Sequence, residues 1–163
     1  MGEDGKPKFD VVFGPAYKGI SLGAIVCATL YSSFGVEVDF AYNRKEAKDH
    51  GEGGVLVGAN MKGRRVLIVD DVITAGTAIR ESFDMLINIG ATPMGVSIAL
   101  DRAEKRSIED PVSAVQAVAR DLNIPVSSIV SLPQLQAFLK TNQSNYGDDI
   151  LKSVSNYREQ YGV

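Results

Sequence analysis

Short apolar runs alternate along the chain with segments whose apolar residues recur every three or four positions. Residues 9–13 form an apolar run that stops at Gly14 and Pro15, which predicts a buried strand. Residues 20–30 are apolar on most faces, as suits a helix packed on a sheet. A second strand is expected over 36–42, with a returning hairpin arm over 55–57. Residues 65–69 run unbroken and apolar after Arg65, the mark of a central parallel strand covered on both faces. Ile79, Phe83, Leu86 and Ile87 place a helix over 78–89, and Gly90 stops it. A strand over 96–100, a helix over 112–122, a strand over 126–130 and helical patches through Tyr161 complete the series. This alternation predicts an α/β fold: a doubly wound, mainly parallel sheet flanked by helices, in one domain over 1–163.

Composition narrows the picture only in places. The 163 residues, 45% of them hydrophobic and 23% charged, suit one ordinary core. A net charge of -3 gives no general attraction to nucleic acid or to an anionic membrane, so any anion site must be local. Cys27 is the one cysteine and sits in an apolar stretch, which excludes a disulfide framework and reads as a small buried hydrophobe in a reducing compartment. No apolar run approaches the roughly 20 residues that span a bilayer. The polar start from Met1 to Lys8 has no signal-peptide core, so the expected location is the cytoplasm.

The chemistry begins after the central strand. Asp70-Asp71-Val72-Ile73-Thr74-Ala75-Gly76-Thr77 joins a strand end to a helix start. In parallel α/β sheets ligands bind beyond the carboxyl ends of the strands. Two adjacent carboxylates would be costly in a core but can face a ligand there, and they accept hydrogen bonds from sugar hydroxyls. The small residues that follow let backbone amides converge on an anion at the positive end of a helix. The reading is a sugar-phosphate cup. A Walker-type loop lacks its Gly-Lys-Ser/Thr here, and no dinucleotide glycine pattern is present.

A second turn, Gly14-Pro15-Ala16-Tyr17-Lys18-Gly19, also links a strand to a helix and suits another anion on the same sheet edge. Standing alone it would equally read as a tight turn with a surface lysine. Residues 43–54 lie between the arms of the expected hairpin and carry Arg44, Lys45, Lys48 and His50 against Glu46, Asp49 and Glu52. Its charges cancel in bulk. A flexible lid could still swing its cations onto a ligand, and a solvated hairpin tip remains the plainer alternative.

These segments, in this order and together with Ala99-Leu100-Asp101-Arg102, resemble the orotate phosphoribosyltransferases of the type I phosphoribosyltransferase fold; the resemblance covers about 9–104 closely. It implies transfer of a phosphoribosyl group from phosphoribosyl diphosphate to orotate, giving orotidine monophosphate and diphosphate, with Mg2+ held mainly by the substrate diphosphate. It implies that Tyr17 and Lys18 meet the diphosphate and ribose region. Arg44, Lys45, Lys48 and His50 would grip the diphosphate when the loop closes. Asp70 and Asp71 would hold the ribose hydroxyls, and possible contact of either with Mg2+ would run through water. Val72, Ile73, Thr74, Ala75, Gly76, Thr77 and Ala78 would form the 5′-phosphate cup. Thr74 would also lie near the base, and Arg102 would pair with the orotate carboxylate, which its planar fork suits. Lys48, His50, Asp70 and Asp71 are the catalytic candidates. The resemblance also implies a homodimer in which the lid loop serves the neighbouring site.

Two alternatives stay open: a phosphoribosyl-ligand binding module without catalysis, and a purine-type transferase, against which Arg102 and the lid sequence argue. In the resembled family a segment before the first strand supplies a lysine and two aromatics as a hood over the base. Only eight residues precede Phe9 here and none matches, so the expectation is a phosphoribosyltransferase domain without that hood.

Overall fold

The computed structural model describes residues 7–46, 55–105, 112–142, 146 and 148–163. In chain order these form β1 (Val11–Gly14), α1 (Lys18–Phe34), β2 (Asp39–Asn43), β3 (Leu56–Gly58), β4 (Arg65–Val72), α2 (Thr77–Asn88), β5 (Thr92–Asp101), α3 (Ala114–Leu122), β6 (Val126–Ser131), α4 (Leu132–Thr141) and α5 (Asp148–Tyr161). The six strands form one sheet in the order β3-β2-β1-β4-β5-β6. All neighbours are parallel except β2 and β3, which pair antiparallel as the expected hairpin.

Alternate side chains of each strand face opposite layers. Val11, Phe13, Val66, Ile68, Val96 and Ile98 pack with Ile79 and Leu86 of α2 and with Ala114 and Val118 of α3. On the other face α1 lies so close that a Cβ on Gly23 would meet Val12 and Phe40. Covering both faces explains why the central strands read as continuous apolar runs. Each fully buried valine or isoleucine there contributes roughly 1.5–3 kcal/mol to the fold.

Strands β4 and β5 run beyond their sequence-derived limits. β4 continues through Asp70 and Asp71 to Val72, because β5 keeps pairing with it: Asp70 opposes Ile98 and Val72 opposes Leu100. The two aspartates are thus on the strand rather than past its end. β5 starts at Thr92 despite Pro93, since the register passes from Val66↔Pro93 to Leu67↔Gly95 and so skips Met94. A bulge there accommodates a residue that cannot donate to the ladder. Helix α4 follows β6 at once, with Ser131 as N-cap and proline in its first turn. Cys27 departs from its expected place. It is half-buried on α1, with Sγ 3.8 Å from the Asp39 carbonyl oxygen, and burial raises its thiol pKa, the opposite of an activated nucleophile.

Candidate active site

The order of the strands creates the site. From β1 the chain crosses through α1 to β2 on one side; from β4 it crosses through α2 to β5 on the other. The two connections part above adjacent strands and leave a crevice between them, where open α/β sheets bind ligands.

Helix α1 forms one wall. Its first turn is pressed against β4: a Cβ on Gly19 would stand 2.8 Å from the Val69 carbonyl oxygen and 2.7 Å from the Pro15 ring. Only glycine allows that approach, and it brings Lys18 to Asp71 across the crevice. Lys18 Nζ donates to Asp71 Oδ2 at 2.5 Å. The hydrogen bond and charge of Asp71 raise the Lys18 pKa. Partial burial pushes the Asp71 carboxyl up, but Lys18 and the backbone amides of Val72 and Asp71 together hold the group below its ordinary value. Asp70 differs. Burial raises its pKa, and the neighbouring Asp71 charge adds to the effect. Its Oδ1 accepts from the Asp71 amide at 2.9 Å. The adjacent carboxylates are therefore unlike, one paired with a cation and one set deeper with its charged form disfavoured.

The cup after β4 is built on Gly76, the N-cap of α2, at φ 78°. A side chain there would be strained and would strike Arg80 and Val118. Arg80 in turn donates to Asp121 at 2.5 Å and ties α2 to α3. Thr74, Ala75, Thr77 and Ala78 are exposed, whereas Ile73 is 5% exposed and belongs to the core. Ile73 thus offers a ligand only its backbone. Val72 is the last, half-buried residue of β4.

Helix capping separates the site from the scaffold. Neither α1, with Tyr17 as N-cap, nor α2 has a side-chain cap. By contrast α3 and α4 carry complete capping boxes, Ser113 with Gln116 and Ser131 with Gln134. The two helices that open on the crevice thus have first turns without a side-chain cap, the arrangement in which helix amides can serve an anion.

The remaining candidates form the rims. Tyr17 is exposed, and Lys45 Nζ stands 5.0 Å from its ring centroid. The root of the hairpin is tied to the same turn, since the Ala16 amide donates to Asn43 Oδ1 at 2.9 Å. The Ala16–Tyr17 peptide is cis. Arg44 donates its amide to the Val55 carbonyl at 2.7 Å, which closes the root. A cleft of about 520 Å³ lies between this root, with Arg44 and Lys45, and the Ala78–Ser82 side of α2. Lys48 and His50 lie outside the described residues. On the far rim Arg102 Nη2 donates to Thr74 Oγ1 at 3.1 Å and pairs with Glu104 at 3.1 Å. Thr74, Ala75, Thr77, Arg80, Glu104 and Lys105 line a second cleft of about 530 Å³.

The structure therefore brings Tyr17, Lys18, Asp70, Asp71, the cup and Arg102 to one edge of the sheet. Sequence reasoning did not single out Asn43, Arg80, Asp121 or Glu104. Glu104 alone left a signal, an acid two positions after an arginine at a strand end. No group of three or more His, Cys, Asp or Glu side chains is gathered as a metal set among the described residues.

A family model described as phosphoribosyl transferase domain matches residues 3–127. The orotate phosphoribosyltransferase of Neisseria meningitidis is 56% identical over 156 residues, which cover 96% of this chain and 70% of the relative. The chain belongs to the orotate phosphoribosyltransferase family. The orotate phosphoribosyltransferase of Polynucleobacter necessarius is 49% identical, over 99% of this chain and 73% of its own length. In three dimensions the orotate phosphoribosyltransferase of Francisella tularensis aligns at TM-score 0.78 and 36% identity, over 96% of this chain and 69% of that one. An adenine phosphoribosyltransferase from Thermoanaerobacter pseudethanolicus aligns at TM-score 0.50 and 18% identity, over 78% of this chain and 73% of that one, a likeness of fold alone. The purine-type alternative thus has only fold-level support, whereas the orotate family is matched in sequence and structure.

Proposed function

We propose that the chain transfers the phosphoribosyl group of phosphoribosyl diphosphate to orotate, forming orotidine monophosphate and diphosphate in pyrimidine biosynthesis. The observation that carries this reading is the crevice between β1 and β4. There the uncapped N-termini of α1 and α2 flank Asp70 and Asp71, and Arg102 stands on the rim.

In this reading the ribose hydroxyls donate to Asp70 and Asp71, and the 5′-phosphate rests on the amides and hydroxyls from Thr74 to Ala78. Ile73 and Val72 shape the cup from below through the backbone. The diphosphate lies toward Tyr17 and Lys18, with Arg44, Lys45, Lys48 and His50 closing over it. Arg102 donates to the carboxylate of orotate and Thr74 lies beside the ring. The bond from orotate N1 to the anomeric carbon forms as the carbon–oxygen bond to diphosphate breaks; the electron pair leaves with diphosphate and N1 loses its proton. Lys18, Lys45 and Lys48 stabilise the charge on the leaving group, and the closed loop excludes the water that would hydrolyse the sugar.

Mg2+ fits a site of this kind as an ion carried by the diphosphate. The crevice offers two carboxylates, one already paired with Lys18, rather than a protein-built cage. Bound Mg2+ would offset charge on the diphosphate, with Asp70 or Asp71 reaching it through water. A homodimer sharing the lid loop completes the reading; Ile25, Tyr31 and Phe34 on α1 are exposed apolar surface that a second copy would cover. The reaction belongs in the cytoplasm, a location supported by the lone thiol; among the described residues no helix is long and apolar enough to cross a membrane.

The test is direct. The chain is incubated with Mg2+, phosphoribosyl diphosphate and orotate while orotate absorbance is followed. Loss of absorbance is expected. Binding of the activated sugar without turnover would instead make the chain a binding module, and turnover of a purine base in place of orotate would overturn the assignment of the base.

A further inference from the structure

Arg102 is fixed by a part of the chain far from the crevice. β5 ends at Asp101, and Ala103 then turns the backbone into the left-handed region at φ 50°, with its amide donating to Asp101 Oδ1 at 2.8 Å. The segment that follows is clamped by the residues at and after the end of α5. Lys105 donates its amide to the Tyr161 carbonyl at 2.8 Å, Val163 donates to the Ala103 carbonyl at 2.9 Å, and Glu104 bridges to Gly162. Side chains continue the clamp. The Tyr157 hydroxyl donates to Glu104 Oε1, while Glu104 Oε2 faces Arg102 Nη2 at 3.1 Å.

This division of the carboxylate matters chemically. A glutamate beside an arginine tends to engage it through both oxygens, fork to fork, and would consume the edge an incoming carboxylate needs. Here Tyr157 occupies one oxygen. Both contacts to the guanidinium, from Glu104 and from Thr74, fall on the single atom Nη2. Arg102 Nε is buried and has no partner among the described residues. The hydrogen bond to Glu104 also raises the Tyr157 pKa, so the phenol, protonated at neutral pH in any case, holds its proton more firmly.

We propose that Glu104 and Tyr157 are positioning residues of the base subsite: Tyr157 restrains Glu104 to one-oxygen contact, and Glu104 holds Arg102 so that Nη1, which carries no contact among the described residues, is left for the carboxylate of the substrate. The inference rests on the orotate reading above. It gives α5 a part in choosing the base.

Two variants test it, Tyr157→Phe, which removes one hydroxyl, and Glu104→Gln, which removes a charge at constant size. Steady-state kinetics should show the orotate KM raised about tenfold in each, the weight of one charge-assisted hydrogen bond. The KM for phosphoribosyl diphosphate and the melting temperature of Tyr157→Phe should stay at wild-type values. Equal rises in both KM values, or an unchanged orotate KM in a wild-type background that turns over orotate, would overturn the proposal. A second readout needs no turnover: the Arg102 Nε–H resonance, identified by its loss in Arg102→Lys. It should shift or broaden by faster solvent exchange in Tyr157→Phe. An unchanged resonance would overturn the relay, whereas failure of the wild type to use orotate would overturn only the base assignment.

Discussion

Lys18 and Asp71 meet at 2.5 Å across the crevice, and this ion pair joins the first turn of α1 to the end of β4. In the proposed function a sugar diphosphate would separate or bridge them, since that reading gives the carboxylate to a hydroxyl and the ammonium to a phosphate. The pair keeps both groups charged and in place, although Lys18 is largely exposed and the bond adds little to stability.

Lys18→Met should therefore act on the ligand rather than on the fold. Affinity for phosphoribosyl diphosphate is expected to fall about tenfold to a hundredfold, the range for one lost charged hydrogen bond. Without Lys18 the Asp71 carboxyl keeps only its backbone hydrogen bonds against the effect of burial, so the acid limb of binding should move to higher pH. Titration calorimetry across pH measures both effects. An unchanged acid limb would show that Asp71 does not govern it.

Gly76→Ala should damage the cup and the fold together. The left-handed backbone costs about 1–2 kcal/mol for an alanine, and its methyl would displace Arg80 or Val118. For a chain of this size a melting temperature lower by several degrees is expected, with weaker binding of a ribose 5-phosphate probe. Scanning calorimetry with and without the probe separates the two.

Acid stability should depend on Asp10, remote from the site. The Arg65 side chain, bonded to Asp10 at 2.6 Å, holds its carboxyl at about 2 against an ordinary 3.8. A depressed folded-state pKa stabilises above the unfolded value and loses that effect as pH falls through 3.8 toward 2. Asp10→Asn should flatten the stability curve over that window and leave turnover at neutral pH unchanged. Urea melts between pH 2 and 5 test this.

Lys48→Ala should separate chemistry from binding. If the lid lysine acts on the leaving diphosphate as charge builds, kcat falls about a hundredfold while the KM values stay within a few-fold. Unchanged turnover would remove Lys48 from the mechanism.

Periodicity located every strand and helix of the central sheet, because buried parallel strands and amphipathic helices leave distinct spacings. It misplaced ends where tertiary pairing overrode local signals, as at Asp70 and Asp71, carried on the strand by β5, and at Pro93, accommodated by the skipped Met94. The two turns that open on the crevice were legible because small residues in a fixed run mark each of them. The supports were not: Asn43 under Ala16, Asp121 behind Arg80 and Tyr157 behind Glu104 are brought in by the fold from distant positions. Such partners have no spacing of their own to read.

The pairing of β1 with β4, Val11 opposite Val66 and Phe13 opposite Ile68, joins segments separated by an entire crossover and a hairpin. Loop closure on that scale is slow, and it comes before any crevice exists. Ligand affinity is consequently a property of the finished sheet. A sugar phosphate that binds the crevice as proposed would leave the steps before β1 and β4 pair untouched and draw the population forward only afterwards.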